Sequence, residues 1–282
     1  MNYSISSEDF RNAVLANTLR VLADCYAEIG GEVFVVGAAA HDIALRLLGI
    51  DEMPRRTLDL DVAVLLKEWR QYDHLTQILL AHGFVKAKQR QHFYYVGEDA
   101  SRYEVDVVPF GAIARDEFVA WPPEEATVMS VRCFEDVLSH ADRVEVDRSY
   151  SFKIASLSGQ FLIKLDAWLD RHSLTGKDAA DMIFILNHLY VAYALSRNGL
   201  PEEIDLDATH FDILVASAEW IASDLRKMLS DEHKKFYADF FQNEYDKEDE
   251  SELLNDLLDE TDGKRYDVLR RAMLRLAQIL RD

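Results

Sequence analysis

Asp59-Leu60-Asp61 sets two carboxylates one residue apart inside the apolar run from Leu58 to Leu66. That run reads as a strand, and side chains alternate across a strand. Both carboxylates therefore share one face while Leu58, Leu60 and Val62 point to the other. Negative charges held that close repel each other unless a cation lies between them. A divalent metal is the first chemistry the pair predicts, and Mg²⁺ suits it, because that ion takes octahedral oxygen ligands from one or two carboxylates plus substrate phosphates. The alternative is an edge strand with solvated charges. Against it, Leu58, Leu60, Val62 and Val64 predict a central strand, where uncompensated charge is costly.

Glu104-Val105-Asp106, followed by Val107-Val108-Pro109-Phe110, again puts two carboxylates on one strand face. If this strand pairs beside the first, Asp106 completes a three-aspartate cluster able to hold two metals. Two-metal sites stabilise the attacking and leaving oxygens of a phosphoryl displacement, and a nearby carboxylate can take the proton of an incoming hydroxyl. Glu104 ranks below Asp106, because the long apolar run begins only after Asp106. Upstream, Val33 to Val36 delivers the chain to Gly37, and Ala38, Ala39 and Ala40 open a helix with nothing larger than a methyl group. Such a turn lets phosphate oxygens approach backbone N–H groups at the positive end of the helix dipole. The same residues also allow close helix-to-sheet packing, and alone the segment fits packing better. Arg55 or Arg56, just before the acidic pair, could neutralise it or touch a phosphate.

The elements that must position these residues can be read from periodicity. Ser7 to Ile29 carries Phe10, Val14, Leu15, Leu19, Leu22 and Tyr26 at helical spacing and stops at Gly30-Gly31. Glu32 to Val36 predicts a short buried strand, Ala38 to Leu48 a helix, Thr57 to Leu66 a second strand and Trp69 to His82 another helix. Phe84 to Lys86, His92 to Gly97 and Tyr103 to Phe110 predict strands joined by turns. From Gly111 to Tyr150, interrupted by Pro122-Pro123, the pattern predicts loops and edge strands, with short candidates at Val128 to Cys133 and Val144 to Asp147. Beyond Leu157 the period is helical: Leu157 to Leu169, Ala179 to Leu195, Phe211 to Leu229, Lys234 to Phe241 and Tyr266 to Leu280. The expected fold is α+β, a mixed sheet flanked by helices over residues 1–156, then an all-helical domain over residues 157–282.

Composition narrows the classes. The 282 residues are 49% hydrophobic and 29% charged, as in a globular protein. No apolar run approaches the roughly 18 residues a spanning helix needs, and the first residues lack a basic stretch followed by an apolar one. A cytoplasmic protein without a membrane partner is expected. Cys25 and Cys133 are too few for a disulfide framework and lack zinc spacing, so reduced thiols are expected. The net charge of −20 opposes non-specific nucleic-acid binding, though not the docking of a nucleotide or structured RNA on a local basic surface. Acidic runs at Asp246 to Glu252 and Asp256 to Asp262 read as solvated helix faces.

Several residues attract notice and are set aside. The nine histidines show no H-E-x-x-H spacing, and His41 is expected on a helix surface. Ser156 and Ser158 read as helix caps. Lys86, Lys88 and Arg90 before His92-Phe93-Tyr94-Tyr95 could stack a base. A hairpin with one buried aromatic face is the favoured reading.

The ordered set of strand, Gly-small turn, helix, Arg55-x-Thr57-x-Asp59-x-Asp61 and a later strand with Asp106 resembles the polymerase-beta-type nucleotidyltransferase superfamily. A second block, Lys164-Leu165-Asp166-Ala167-Trp168-Leu169-Asp170-Arg171 and then Lys177-Asp178-Ala179-Ala180-Asp181, is similar to the motifs of the AbiEii/AbiGii toxin-type nucleotidyltransferases, the toxin half of type IV toxin–antitoxin systems. The likeness covers roughly Val33 to Leu186. It implies Asp59 and Asp61 as metal ligands, Asp106 as third carboxylate and base, and Gly37 and Ala38 as the phosphate loop with Arg55 and Thr57 nearby. It further implies phosphate contacts from Lys164 and Arg171, with Asp178 and Asp181 shaping the site. The chain departs from the family at Gly37-Ala38, where Gly-Gly or Gly-Ser is usual, so a hydroxyl that could meet phosphate is missing.

Physically, Lys164 and Arg171 lie two helical turns apart on one face, and Asp178 and Asp181 share a face of the next helix. A cationic pair facing a carboxylate–metal centre would bind β- and γ-phosphates, with Lys177 as a third cation. An interhelical ion-pair cluster is the competing reading. The expected activity is Mg²⁺- or Mn²⁺-dependent transfer of a nucleoside monophosphate from an NTP to an acceptor hydroxyl, in a cleft between the two domains. The acceptor would be tRNA or another RNA, and an antitoxin protein would be a partner. The rivals are a non-catalytic nucleotide-binding protein on the same scaffold and an aminoglycoside-type antibiotic nucleotidyltransferase.

Overall fold

In the computed structural model, which describes residues 2–10, 12–50, 59–97, 102–122, 128–196, 199–207, 209–261 and 263–282, strands are interspersed with helices up to residue 154. They are β1 (Asn2–Ile5), α1 (Ala13–Glu28), β2 (Phe34–Val36), α2 (Gly37–Leu47), β3 (Asp59–Leu65), α3 (Trp69–Ala81), β4 (Phe84–Lys86), β5 (His92–Val96), β6 (Arg102–Phe110), β7 (Phe118–Ala120), β8 (Val128–Ser130), α4 (Phe134–Ser139), β9 (Asp142–Val146) and β10 (Tyr150–Ile154). Thereafter only helices are found among the described residues: α5 (Leu157–Arg171), α6 (Lys177–Ser196), α7 (Ile213–Met228), α8 (Asp231–Asp246), α9 (Glu252–Asp259) and α10 (Tyr266–Arg281). Contacts divide the described chain into one unit of residues 2–47 and 59–156, and another of residues 48–50 and 157–282.

The first unit is built on a mixed sheet in the order β1-β9-β10-β2-β3-β6-β5-β4, with β7 and β8 forming a separate pair. β2 and β3 run antiparallel, β3 and β6 parallel, and β6 and β5 antiparallel. The central position of β3 follows from its composition: Leu60, Val62, Ala63 and Val64 are all buried, as a strand flanked by two others and covered by helices requires. Tyr26, Tyr72, Phe34, Phe93, Phe110 and Phe152 are among the largest fully buried side chains of this core, each contributing roughly 1.5–3 kcal/mol by leaving water.

In the second unit α10 packs on α7 and α8, α6 on α5 and α7, and α9 on α6, α8 and α10. Side-chain caps set the starts of three of its helices. Asp212 accepts from Leu214 N–H, Ser230 from His233 N–H and Ser251 from Leu254 N–H. Each satisfies a donor the helix cannot, worth about 1 kcal/mol.

The structure differs from the sequence expectation at identifiable places. The helix predicted from Ser7 begins only at Ala13, because Ser6 and Asp9 close a capping box around a 3-10 turn at Ser7–Asp9 and Asn12 then caps a new helix. Short polar side chains that bond the nearby backbone compete with helix continuation. The candidate at Val144 to Asp147, expected as an edge strand, is β9, an interior strand between β1 and β10, and β10 at Tyr150–Ile154 was not expected. Their hairpin turns through Asp147 and Arg148, both at positive φ, without the Asn-Gly signal that advertises such turns. His41 is buried at 3% exposure, not on the helix surface. Ser158 is no cap; it lies within α5 and donates to Asp224 Oδ2 at 2.8 Å. The acidic stretch after Asp246 holds a helix that periodicity did not pick out, α9, which buries Leu253, Leu254 and Leu257 and keeps Glu252 and Asp259 exposed, as a solvated acidic face requires. Finally, α6 is long and apolar enough to cross a membrane by length and composition, where no such run was expected. Half of it is buried and it packs on α5 and α7, as the central helix of a folded unit does.

Candidate functional site

Register brings the predicted carboxylates of the first unit together. In the parallel pairing of β3 with β6, Asp59 stands opposite Glu104 and Asp61 opposite Asp106. Paired residues on neighbouring strands, about 4.8 Å apart, project from the same face. On the far side of β6, antiparallel β5 sets His92 opposite Asp106 and Tyr94 opposite Glu104. One face of the sheet thus carries a row Asp61, Asp106, His92 beside a row Asp59, Glu104, Tyr94.

His92 ties the rows. Its Nδ1 lies 2.5 Å from Asp106 Oδ1 and its Nε2 lies 2.8 Å from Glu104 Oε1. The ring stands edge-on to Tyr94, centroids 5.0 Å apart. Only the imidazolium donates from both nitrogens; the neutral ring serves one carboxylate. Among the described residues His92 is the sole hydrogen-bond partner of Asp106. Burial pushes the Asp106 carboxyl above the usual carboxylate range, the His92 hydrogen bond and charge pull it back, and Asp59 raises it again. The acidity extends further than the motif. The buried Tyr103 phenol is pushed up to about 12, first by burial and then by Asp59, Asp42 of α2 and Asp61.

The glycine turn abuts this face. β2 ends with Val36 paired to Asp61, and Gly37 follows at φ +71, opening α2. Ala39 and Ala40 are buried, while Gly37 and Ala38 are partly open. The N-terminal N–H groups of α2 have no partner within the helix, the condition that favours an anion there.

The second block forms a set of ion pairs between α5 and α6. Lys164 Nζ lies 2.7 Å from Asp181 Oδ2 and 3.6 Å from Asp178 Oδ1. Arg171 grips Asp178 with two bonds, 2.7 Å from Nε and 2.9 Å from Nη2. Asp178 is fully buried and Asp181 nearly so. Lys177 is exposed and carries no ion pair among the described residues. Arg55 and Thr57 lie outside the described residues, so their predicted roles have no structural counterpart.

A divalent ion can be tested against the donor set. Asp59, Asp61, Asp106 and Glu104 offer hard carboxylate oxygens on one face, the chemistry Mg²⁺ or Mn²⁺ takes. Among the described residues, however, no three histidine, cysteine, aspartate or glutamate side chains form a group that would hold a metal. The donor type suits the ion, but the arrangement of these side chains does not form a site for it. His92 and Glu104 are the participants that motif spacing missed or ranked low. Their signal was present in the alternation of His92-Phe93-Tyr94-Tyr95, which buries Phe93 and Tyr95 and leaves His92 and Tyr94 on the acidic face.

Fold and site together define a mixed α/β unit with an acidic strand face beside a glycine turn, accompanied by a helical unit. No protein-family model matches the chain, and no curated protein does. Among solved structures it is similar to the Thermotoga maritima CCA-adding enzyme complexed with tRNA, at 14% sequence identity and a TM-score of 0.32, over 90% of this chain. The match spans about half of that structure's length, 52%. A likeness of that degree carries no conclusion about activity, so the reading of the site rests on its own geometry.

Proposed function

We propose that the chain is a nucleotidyltransferase that moves a nucleoside monophosphate from an NTP to an acceptor hydroxyl and releases pyrophosphate. The observation that supports this reading is the register seating Asp61 beside Asp106, with Asp59 on the same face and the Gly37 turn next to Asp61. Asp59 and Asp61 would hold Mg²⁺ or Mn²⁺, which when bound offsets the charge of the triphosphate. The N–H groups at the start of α2 bind phosphate oxygens. Asp106 takes the proton of the acceptor hydroxyl, whose oxygen forms the new bond to the α-phosphorus as the bond to the bridging oxygen of pyrophosphate breaks. A carboxylate with a raised pKa is the stronger base when ionised, which suits Asp106 to that step. Positioning and charge neutralisation supply most of the rate.

The acceptor we propose is RNA, tRNA in particular, with the chain acting as the toxin of a toxin–antitoxin pair held in check by a partner protein. The test is incubation with each labelled NTP, Mg²⁺ or Mn²⁺ and total RNA. Label should appear in tRNA and collapse in the Asp59→Asn/Asp61→Asn variant. Equal labelling by that variant would sink the proposal.

A second reading has its own support. Lys164 and Arg171 are engaged by Asp178 and Asp181, and Ala38 brings no hydroxyl to the turn. A nucleotide-binding protein without turnover would share both features. Calorimetry separates the two, since such a protein binds NTP yet forms no pyrophosphate with any acceptor.

A further inference from the structure

Arg90, in the turn between β4 and β5, lies over two rings of α3. Its guanidinium carbon is 5.2 Å from the ring centre of Trp69 and 5.9 Å from that of Tyr72. Nη1 donates to Pro122 O at 3.1 Å, and Nη2 donates to Asp73. Trp121, just past β7, closes the group at 5.3 Å from Trp69 and 5.4 Å from Tyr72. Tyr72 and Trp121 are buried while Trp69 is partly open, so two inner rings hold the outer one in place. Two donors of the group, Arg90 Nε and Trp121 Nε1, meet no acceptor among the described residues. Around the rings the charge changes sign. Residues 67–73 and 86–91 carry five cations, Lys67, Arg70, Lys86, Lys88 and Arg90, against two carboxylates, Glu68 and Asp73. The whole chain has the reverse balance, 31 basic side chains to 51 acidic. Lys67, Lys86 and Lys88 are exposed and form no ion pair among the described residues.

We infer that this platform, Trp69 and Arg90 bordered by Lys67, Arg70, Lys86 and Lys88, is a docking surface for single-stranded RNA. An aromatic ring backed by buried rings and a guanidinium plane both stack on bases, and only unpaired bases offer their faces to them. The lysines meet the phosphates. The local shortage is of acceptors, which RNA carries in excess on its phosphates and base edges. An acidic protein segment would use the lysines but has no base to stack on Trp69. The choice of RNA over DNA rests on the proposed transfer to an RNA hydroxyl. Arg90 and His92 are two residues apart, so at most about 7 Å of backbone separates the platform from the row His92, Asp106, Asp61. A strand anchored on the platform is therefore held beside an acidic face that would by itself repel it.

Fluorescence anisotropy of a labelled oligouridine of about 12 nucleotides, titrated with the full chain in EDTA and without NTP, tests it. Lys86→Gln/Lys88→Gln should reduce the slope of log affinity against log salt by about 1.4, since each phosphate contact on a single strand contributes about 0.7. Trp69→Leu should weaken binding by about tenfold and leave that slope unchanged, because stacking releases no counterion. Lys235→Gln/Lys264→Gln, which removes the same charge from exposed positions of the other unit, should bind as wild type does. The exposed lysine pair should melt with wild type, which keeps its loss of binding apart from misfolding. No binding by wild type, an unchanged slope in Lys86→Gln/Lys88→Gln, or an equal loss in Lys235→Gln/Lys264→Gln overturns the inference. Polyglutamate bound more tightly than the oligouridine, with Trp69→Leu unaffected, overturns it in favour of an acidic protein partner. If the oligouridine binds as expected but no RNA is labelled from any NTP, nucleotidyl transfer fails and the platform stands. If RNA is labelled with the same KM in all of these variants, the platform fails and transfer stands.

Discussion

The Asp61 carboxylate fills the space that a side chain on Gly37 would need. A Cβ on Gly37 would fall on Oδ2 of Asp61, 2.8 Å from its Cγ and 2.9 Å from its Cβ, and the backbone at Gly37 has φ +71. The turn that opens α2 and the acidic strand are therefore one packing unit. A methyl group at residue 37 must either push Asp61 off the shared face or move the start of the helix. Gly37→Ala should lower stability by about 1–2 kcal/mol from left-handed backbone strain alone, with more from the overlap. NTP-dependent labelling should fall further than the stability loss accounts for, because Asp61 is displaced in the folded fraction as well. Urea melts alongside initial rates check this; a variant with full activity would show that Asp61 does not need its observed place.

Asp106 carries a cost that the folded protein bears when the group is ionised. Its carboxyl is raised by burial, so the folded state binds the proton more tightly than the unfolded chain does. Ionisation at neutral pH then weakens the fold, and that loss is recovered as pH falls through the raised folded value towards the unfolded one. Asp106→Asn cannot ionise and should melt at a higher temperature than wild type at pH 7. The gap should close on acidification, and the variant should no longer transfer nucleotide. Paired thermal melts from pH 7 to pH 4 measure this directly. Melting temperatures that coincide throughout would mean that the His92 contact fully compensates burial.

How much of this was legible in the sequence depends on the range of the forces involved. The Asp59-Leu60-Asp61 face, the β2–Gly37–α2 turn and the Asp106 strand are local patterns of period two or of small residues, and all were readable. The pairing of β3 with β6 needed only the premise that apolar strands lie side by side. The alternation that leaves His92 on the open face of its strand was readable, but its place across from Asp106 was not, because that comes from an antiparallel register and motif spacing along one strand says nothing of the next. β10 escaped because Tyr150 to Ile154 is short and its hairpin turns on Asp147 and Arg148. The second block was legible as a charge pattern, but charge alone could not say whether the cations meet phosphate or Asp178 and Asp181.

Both thiols should be inert in the native protein. Cys25 and Cys133 form no disulfide and are buried at 0% exposure, and burial, with the charges of Glu28 and Asp24 beside it, pushes the Cys25 thiol up to about 12. The thiolate is the reactive form, so modification at pH 8 should proceed only through opening of the fold. A disulfide-exchange reagent should release no colour from the folded chain within minutes and both equivalents in guanidinium. Rapid reaction of the native protein would show that the α1 core opens more readily than its packing suggests.

The ion-pair block makes a prediction that separates its competing roles. Asp178 is fully buried with Arg171 bonded to both of its oxygens, while Lys164 is held mainly by Asp181. Removing one partner of a buried pair strands the other charge away from water. Asp178→Ala leaves Arg171, which is 47% exposed, able to turn to solvent, and Lys164 keeps Asp181. That loss should be modest, about 2 kcal/mol. Arg171→Met instead strands the Asp178 carboxylate, with Lys164 at 3.6 Å as its remaining cation among the described residues, and should cost about 3–4 kcal/mol. Urea melts should thus rank Arg171→Met as the more damaging change although Arg171 is the more exposed residue. If Arg171 serves phosphate binding instead, Arg171→Met should leave the melt near wild type and weaken NTP binding in calorimetry. The order of the two stabilities therefore decides whether the block holds α5 to α6 or is kept in reserve for a nucleotide.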